Sequence, residues 1–130
     1  VTFFCSVLDA NTRMFHYCNA GHPYPILVSA GAVQTLDHGG AVLGVFPSWN
    51  YKDSSVNLKS GDRLLLFTDG ITEAEDTQNQ EFGVDRVAAF GKAHAASSAA
   101  ELNQQLLAQV SDFCGAHFQD DATLVVLAVD

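Results

Sequence analysis

Basic side chains are scarce in this sequence. Six Lys and Arg stand against fifteen Asp and Glu, for a formal net charge of −9. Such a chain repels nucleic acid and anionic membrane surfaces, which argues against both as partners of this segment. Any phosphate handled here must be neutralised by something other than an arginine cluster, and metal ions are the obvious means. Long apolar runs are missing too. Nothing approaches the ~18 residues that span a bilayer, and no signal-peptide pattern precedes the first strand-like segment. Cysteine is sparse and odd in number: Cys5, Cys18 and Cys114 lie far apart and are not spaced as zinc pairs. Three buried thiols in a reducing, cytoplasmic setting are expected. Internal repeats, linkers and low-complexity segments are also lacking.

What is present suits a packed core: 130 residues, 48% hydrophobic and only 16% charged, enough for one domain or part of one. "TFFCSVLD" (2–9) and "RMFHYCNAG" (13–21), separated by a polar turn, predict a β-hairpin. "ILVSA" and "AVQTL" predict a second hairpin around Gly31, after the chain-breaking "GHPYP". "DHGGAVLGVFPSW" (37–49) reads as a glycine-rich loop. "YKDSSVNL" and "RLLLFTD", flanking the turn "KSGD" (59–62), predict a third hairpin. The character then changes. "FGVDRVAAFGKAHA" places Val84, Val87 and Ala88 at helical spacing behind Gly83. Ser98 and Glu101 form a capping box ahead of a longer helix with Leu102, Leu106, Val110 and Phe113 on one face. "ATLVVLAV" (122–129) closes the chain as a strand that is apolar on both faces, expected to sit centrally with cover on both sides. Strands followed by helices argue an α+β fold with helices covering a sheet.

The chemistry-bearing residues are carboxylates at strand ends. Asp69 follows the apolar run Leu64–Phe67, and Gly70 permits a sharp turn behind it. Asp120 and Asp121 stand just before the last strand. Adjacent strands would bring these ends together as a hard-oxygen site suited to Mg²⁺ or Mn²⁺. Each aspartate also fits plain turn or loop chemistry. A haloacid-dehalogenase-type phosphatase needs a nucleophilic Asp two positions before such an Asp-Gly, where this chain has Phe67. A nucleoside triphosphatase needs a glycine-rich loop ending in Lys-Ser/Thr, and no segment supplies that lysine. His16, His38, His94 and His117 show no ligand spacing, and no serine has the G-x-S-x-G setting. In "NAGHPYP", Asn19 to Pro25, His22 is held on a tight turn.

Taken together, "TFFCSVLD", "FHYCNAGHPYPILV", "GGAVLGV", "GDRLLLFTDGITEA", "FGVDR" and "QDDATLVVLAV" resemble, in order and spacing, the SpoIIE-type bacterial branch of the metal-dependent (PPM) serine/threonine protein phosphatases. The resemblance covers essentially all 130 residues as a single domain segment. It implies a four-layer α-β-β-α sandwich with two Mn²⁺ or Mg²⁺ ions at one end. Residue by residue, it implies that Asp69 is a metal ligand and Asp120 the matching ligand, with Asp121 a ligand or a near neighbour of one. Gly70, Asn19 and His22 would shape the site. Direct hydrolysis of phosphoserine or phosphothreonine by a metal-activated water is implied, on a regulatory protein such as an anti-anti-sigma factor. A sensory or receiver domain would precede the phosphatase. The family's opening motifs, of Gly-Asp-x-x-Asp and Asp-Gly-x-Gly-His type, do not occur in this chain, so its N-terminal strands and helix are expected to lie upstream of Val1. The alternative is a non-catalytic, phosphatase-like module that binds a regulator.

Overall fold

The computed structural model describes residues 1–130 in full. Alternating apolar residues build the first hairpin. Strand β1 (Phe3–Asp9) pairs antiparallel with β2 (Met14–Ala20), in register from Phe3 opposite Ala20 to Asp9 opposite Met14. The Asp9 carboxylate fixes the turn by accepting from the backbone N–H groups of Asn11 and Thr12 at 2.9 and 3.3 Å, and these bonds hold its pKa below the usual value. On its other side β2 meets β5 (Gly39–Gly40) in parallel and β6 (Ser54–Asn57) antiparallel. A second, wholly antiparallel sheet runs in the order β4 (Ala32–Thr35), β3 (Ile26–Ser29), β7 (Arg63–Phe67), β8 (Leu124–Ala128).

The period-two alternation of strand side chains divides the interior into two cores. Leu27 and Leu64 face the first sheet, where they pack with Phe15, Tyr17, Leu36 and Leu58. Ile26, Val28, Leu65 and Phe67 face the other way, onto helices α2 (Gly83–Ala93) and α3 (Ala99–Phe113) through Val87, Leu102, Leu106 and Val110. Two sheets and one helical layer therefore stack as β-β-α, an α+β sandwich. The expected capping box opens α3: Glu101 N–H donates to Ser98 Oγ, and Ser98 N–H donates to the Glu101 carboxylate. A one-turn helix, α1 (Asp69–Thr72), follows β7. Four residues cannot hold a helix by propensity. The fully buried Ile71 anchors it, and burial of such a side chain contributes about 1.5–3 kcal/mol.

Several expectations are corrected here. The third hairpin does not form: β6 belongs to the first sheet and β7 to the second, because the turn at Lys59–Asp62, with Gly61 at φ +91°, carries the chain across the sandwich. Strand β8 is only partly covered: Leu124 and Val126 pack toward the helices and Leu127 toward the first sheet, but Val125 is 54% exposed, and the strand lies at the sheet edge while β7 is central. Apolarity on both faces says nothing about lateral neighbours. Val84 is 45% exposed, whereas Val87 and Gly91 form the buried stripe of α2. The helix makes its close approach at Gly91, whose missing Cβ leaves room for Leu65 and Val28, so its first turn stays in solvent. Finally, of the three thiols only Cys114 is buried. Cys5 lies on the outward face of the β1 edge strand, opposite Cys18. Partial burial, then the nearby Asp53 carboxylate and Cys5, push the Cys18 thiol up.

Candidate metal centre

The core of β7 delivers Asp69 to the surface. Leu64, Leu65 and Phe67 are buried, whereas Asp69, at the start of α1, is exposed, and its Oδ1 accepts from the Gly70 N–H at 3.0 Å. Pairing of β7 with β8 brings in the second acidic segment. Thr68 N–H donates to Thr123 O at 3.1 Å, Thr123 N–H donates to Thr68 Oγ1 at 2.9 Å, and that hydroxyl donates to Asp121 O at 3.0 Å. Thr68 occupies the N-cap position of α1 but makes no capping bond, because its hydroxyl is spent on this cross-link. Reasoning from sequence passed over Thr68. Its signal was an N-cap residue type directly before the Asp-Gly pair.

Gly70 avoids a Cβ clash, as expected, but the clash is with a distant segment and not within its own turn. It does not adopt a positive φ. A Cβ here would instead lie 2.5 Å from Asp121 O and 3.1 Å from Asp120 O. The backbone of Asp120–Asp121 thus rests directly on the first turn of α1. Asp120 Oδ1 accepts from the Asp121 N–H at 2.7 Å.

The three carboxylates do not merge into one cluster. Asp69 and Glu73 line a cleft of about 370 Å³ together with Thr2, His22 and Tyr24. Asp120 and Asp121 line a separate hollow against Leu107 and Ser111 of α3 and Phe118 beyond its end. No three His, Cys, Asp or Glu side chains stand close enough together to hold a metal ion. The donors are all carboxylate oxygens, which suits Mg²⁺ or Mn²⁺ in kind. In number they fall short of a full shell.

The "NAGH" turn is built around a buried amide. Asn19 is 2% exposed; its Oδ1 accepts from the His22 N–H at 2.8 Å, and its Nδ2 donates to His22 O at 2.9 Å. Between them Gly21 has φ +73°, and a Cβ on it would lie 2.4 Å from Val42 Cγ2. Only glycine satisfies both conditions. The outcome is a rigid turn that places His22 in the lining of the same cleft as Asp69.

A sandwich with strand-end carboxylates beside a cleft defines the class: the fold is that of the PP2C-type phosphatase domains. It superposes on the SpoIIE phosphatase domain of Bacillus subtilis with a TM-score of 0.79 at 20% identity, covering 99% of this chain and 58% of that one. On the SiaA PP2C domain of Pseudomonas aeruginosa the TM-score is 0.82 at 23% identity, over 99% of this chain and 52% of that one. Among curated proteins, the phosphoserine phosphatase RsbU of Bacillus subtilis is 30% identical over 132 residues, which take in 98% of this chain and 38% of RsbU. The family model described as Stage II sporulation protein E (SpoIIE) matches residues 1–130, and the chain belongs to that family. It spans well under two thirds of the length of these relatives. No helix is long and apolar enough to cross a membrane.

Proposed function

We propose that the protein is a metal-dependent protein serine/threonine phosphatase, and that residues 1–130 form one segment of its catalytic domain. The observation that carries this reading is the packing of the Asp69–Gly70 turn directly onto the Asp120–Asp121 backbone, pinned by Thr68. A turn glycine alone would not need that contact. The similarity to RsbU, named as a phosphoserine phosphatase, supports the same reading.

In this proposal Asp69 and Asp120 supply oxygen ligands to Mn²⁺ or Mg²⁺, with Asp121 a ligand or a hydrogen-bonding neighbour. Two ions are held in the complete domain, and other groups of the full protein and water complete the coordination. When bound, the metals supply an activated water for attack on phosphorus and neutralise phosphoryl charge. The chain's own contribution is positional. Thr68 locks the two acidic segments together, Ile71 anchors the turn, and Asn19 holds the turn that carries His22. The substrate is a phosphorylated regulatory protein, of the kind served by partner-switching circuits, and a sensory or receiver domain precedes this one.

The test is Mn²⁺-dependent release of phosphate from a phosphoserine peptide by the full-length protein, with Asp69→Asn and Asp120→Asn beside it. Metal-dependent turnover lost in both variants is expected. A folded, metal-independent and inactive full-length protein would overturn the proposal and favour the non-catalytic regulator-binding module.

A further inference from the structure

We infer that His22 is a phosphate-contacting residue of the cleft: its imidazole donates a hydrogen bond to a phosphoryl oxygen of the substrate. This rests on the phosphatase reading above and assigns a role that the fold alone does not require.

The cleft poses an electrostatic problem. Asp69 and Glu73 line it, and no Lys or Arg does. A phosphoryl group entering beside two carboxylates loses water and meets like charge; bound metal ions offset that charge, and a hydrogen-bond donor in the lining adds to its retention. The lining offers His22, Tyr24 and Thr2. Tyr24 is 50% exposed and Thr2 is an exposed residue, and neither hydroxyl makes a bond that fixes its direction. His22 differs in being built in. Both of its backbone polar groups are clamped by the side chain of the buried Asn19, and Gly21 locks the turn against Val42.

The ring itself is uncommitted. His38 engages Tyr17 and Asp37 through Nδ1, and His94 uses Nδ1 on Phe90 O. The hydrogen bonds of His22 run through its backbone alone. A half-buried imidazole on a clamped turn, in the lining of a cleft shared with two carboxylates and with both nitrogens free, is an arrangement prepared for an external partner. An oxyanion matches its N–H in either tautomer. Asn19 is then a positioning residue, acting through the turn rather than on the substrate.

The experiment compares full-length wild-type protein with His22→Ala and His22→Gln, all loaded with Mg²⁺. The probe is inorganic phosphate, titrated by calorimetry and, separately, used as a competitive inhibitor of phosphopeptide hydrolysis. Loss of one charge-assisted hydrogen bond weakens phosphate binding about 10-fold or more in His22→Ala. KM for the phosphopeptide rises by a similar factor, and the melting temperature does not change. Added imidazole restores part of the phosphate affinity in that variant. Unchanged phosphate affinity in His22→Ala would overturn the inference. If that variant melts early, His22→Gln decides by the same titration, because it retains bulk and a donor: near-wild-type binding supports the contact, and a loss equal to that of His22→Ala makes His22 structural only. Wild-type protein that hydrolyses phosphopeptide while His22→Ala binds phosphate normally sinks this inference alone. Wild-type protein that neither binds phosphate nor turns over sinks the phosphatase reading and this one with it.

Discussion

Gly70→Ala separates a glycine needed for backbone freedom from one needed for close packing. Gly70 has no positive φ, so alanine is not excluded by conformation, and by helix propensity it would add about 1 kcal/mol of stability to α1. The opposing term is steric. The new methyl would stand 2.5 Å from Asp121 O and 2.8 Å from Asp121 C, about 0.9 Å inside ordinary van der Waals contact. The obstruction is backbone, which cannot rotate aside. Overpacking of this kind costs about 1–3 kcal/mol; because the obstruction is backbone, the upper part of that range applies, and the net expectation after the propensity gain is a loss of up to about 2 kcal/mol with a lowered melting temperature. The functional effect should be larger. Metal ligands must sit within about 0.2 Å of their ideal distances, and the substitution pushes Asp120–Asp121 away from Asp69 by several times that. In the full-length protein the Mn²⁺ activation curve should shift at least 10-fold toward higher concentration. Gly31→Ala is the control: φ is +78° with nothing within 4 Å, so it should cost about 1–2 kcal/mol and leave Mn²⁺ activation alone. A Gly70→Ala protein that melts at or above the wild-type temperature, with an unshifted Mn²⁺ curve, would refute the packing argument.

Other expectations follow from the same contacts. Thr68→Val keeps the shape but strips the hydroxyl shared by Thr123 N–H and Asp121 O; it should lower stability by about 1–3 kcal/mol and weaken metal activation, whereas unchanged activation would free Thr68 of any part in the site. Ser98→Ala removes the α3 cap at a cost of about 1 kcal/mol in denaturant melts, and a change within 0.2 kcal/mol would count against the cap. Hydrogen bonds from Ser98 hold the Glu101 pKa below its ordinary 4.5, so their stabilisation is fully present above that value and fades as pH falls through the lower folded-state pKa. Glu101→Gln should flatten this part of the acid-melting profile, and an identical profile in the variant would remove Glu101 as its source. The 130-residue chain alone should self-associate, because β1 is an edge strand exposing Phe3, Val7 and Leu8. Val7→Lys should reduce the association; a monomeric chain at high concentration in light scattering would contradict it.

How much of this was readable beforehand depended on the range of the interaction. The β1–β2 hairpin, the β3–β4 hairpin and the Ser98–Glu101 box are local, written in alternation, turn residues and a three-residue spacing, and each stands where the sequence placed it. The departure of β6 from β7 was not local. The "KSGD" turn looks the same whether it returns the chain along one sheet or sends it to the next, and only the partners of β6 on β2 decide. The same blindness hid the edge position of β8. At the site, Asp69 and Asp120–Asp121 were identifiable because apolar strands run up to them, and the structure joins their segments through the backbone. What the sequence could not reveal is that Gly70 serves as a gap for a carbonyl 51 residues away, or that Thr68 serves as a clasp. The Asn19–His22 bracket had a faint signature, an Asn three residues before a turn His with glycine between.

The Thr68 clasp also sets an order of events during synthesis. Its partners, Asp121 and Thr123, lie 53 and 55 residues downstream, and between them both helices must be laid down. A growing chain can build the first sheet, both β3 partners and the helices while Asp69 still stands alone at the end of β7. Only when β8 arrives and zips from Phe67 opposite Leu124 to Arg63 opposite Ala128 does the second acidic segment reach it. Long-range closures of this kind come late in folding. Under the proposed ligand set, the acquisition of metal affinity would serve as a clock, marking the moment at which β8 has docked.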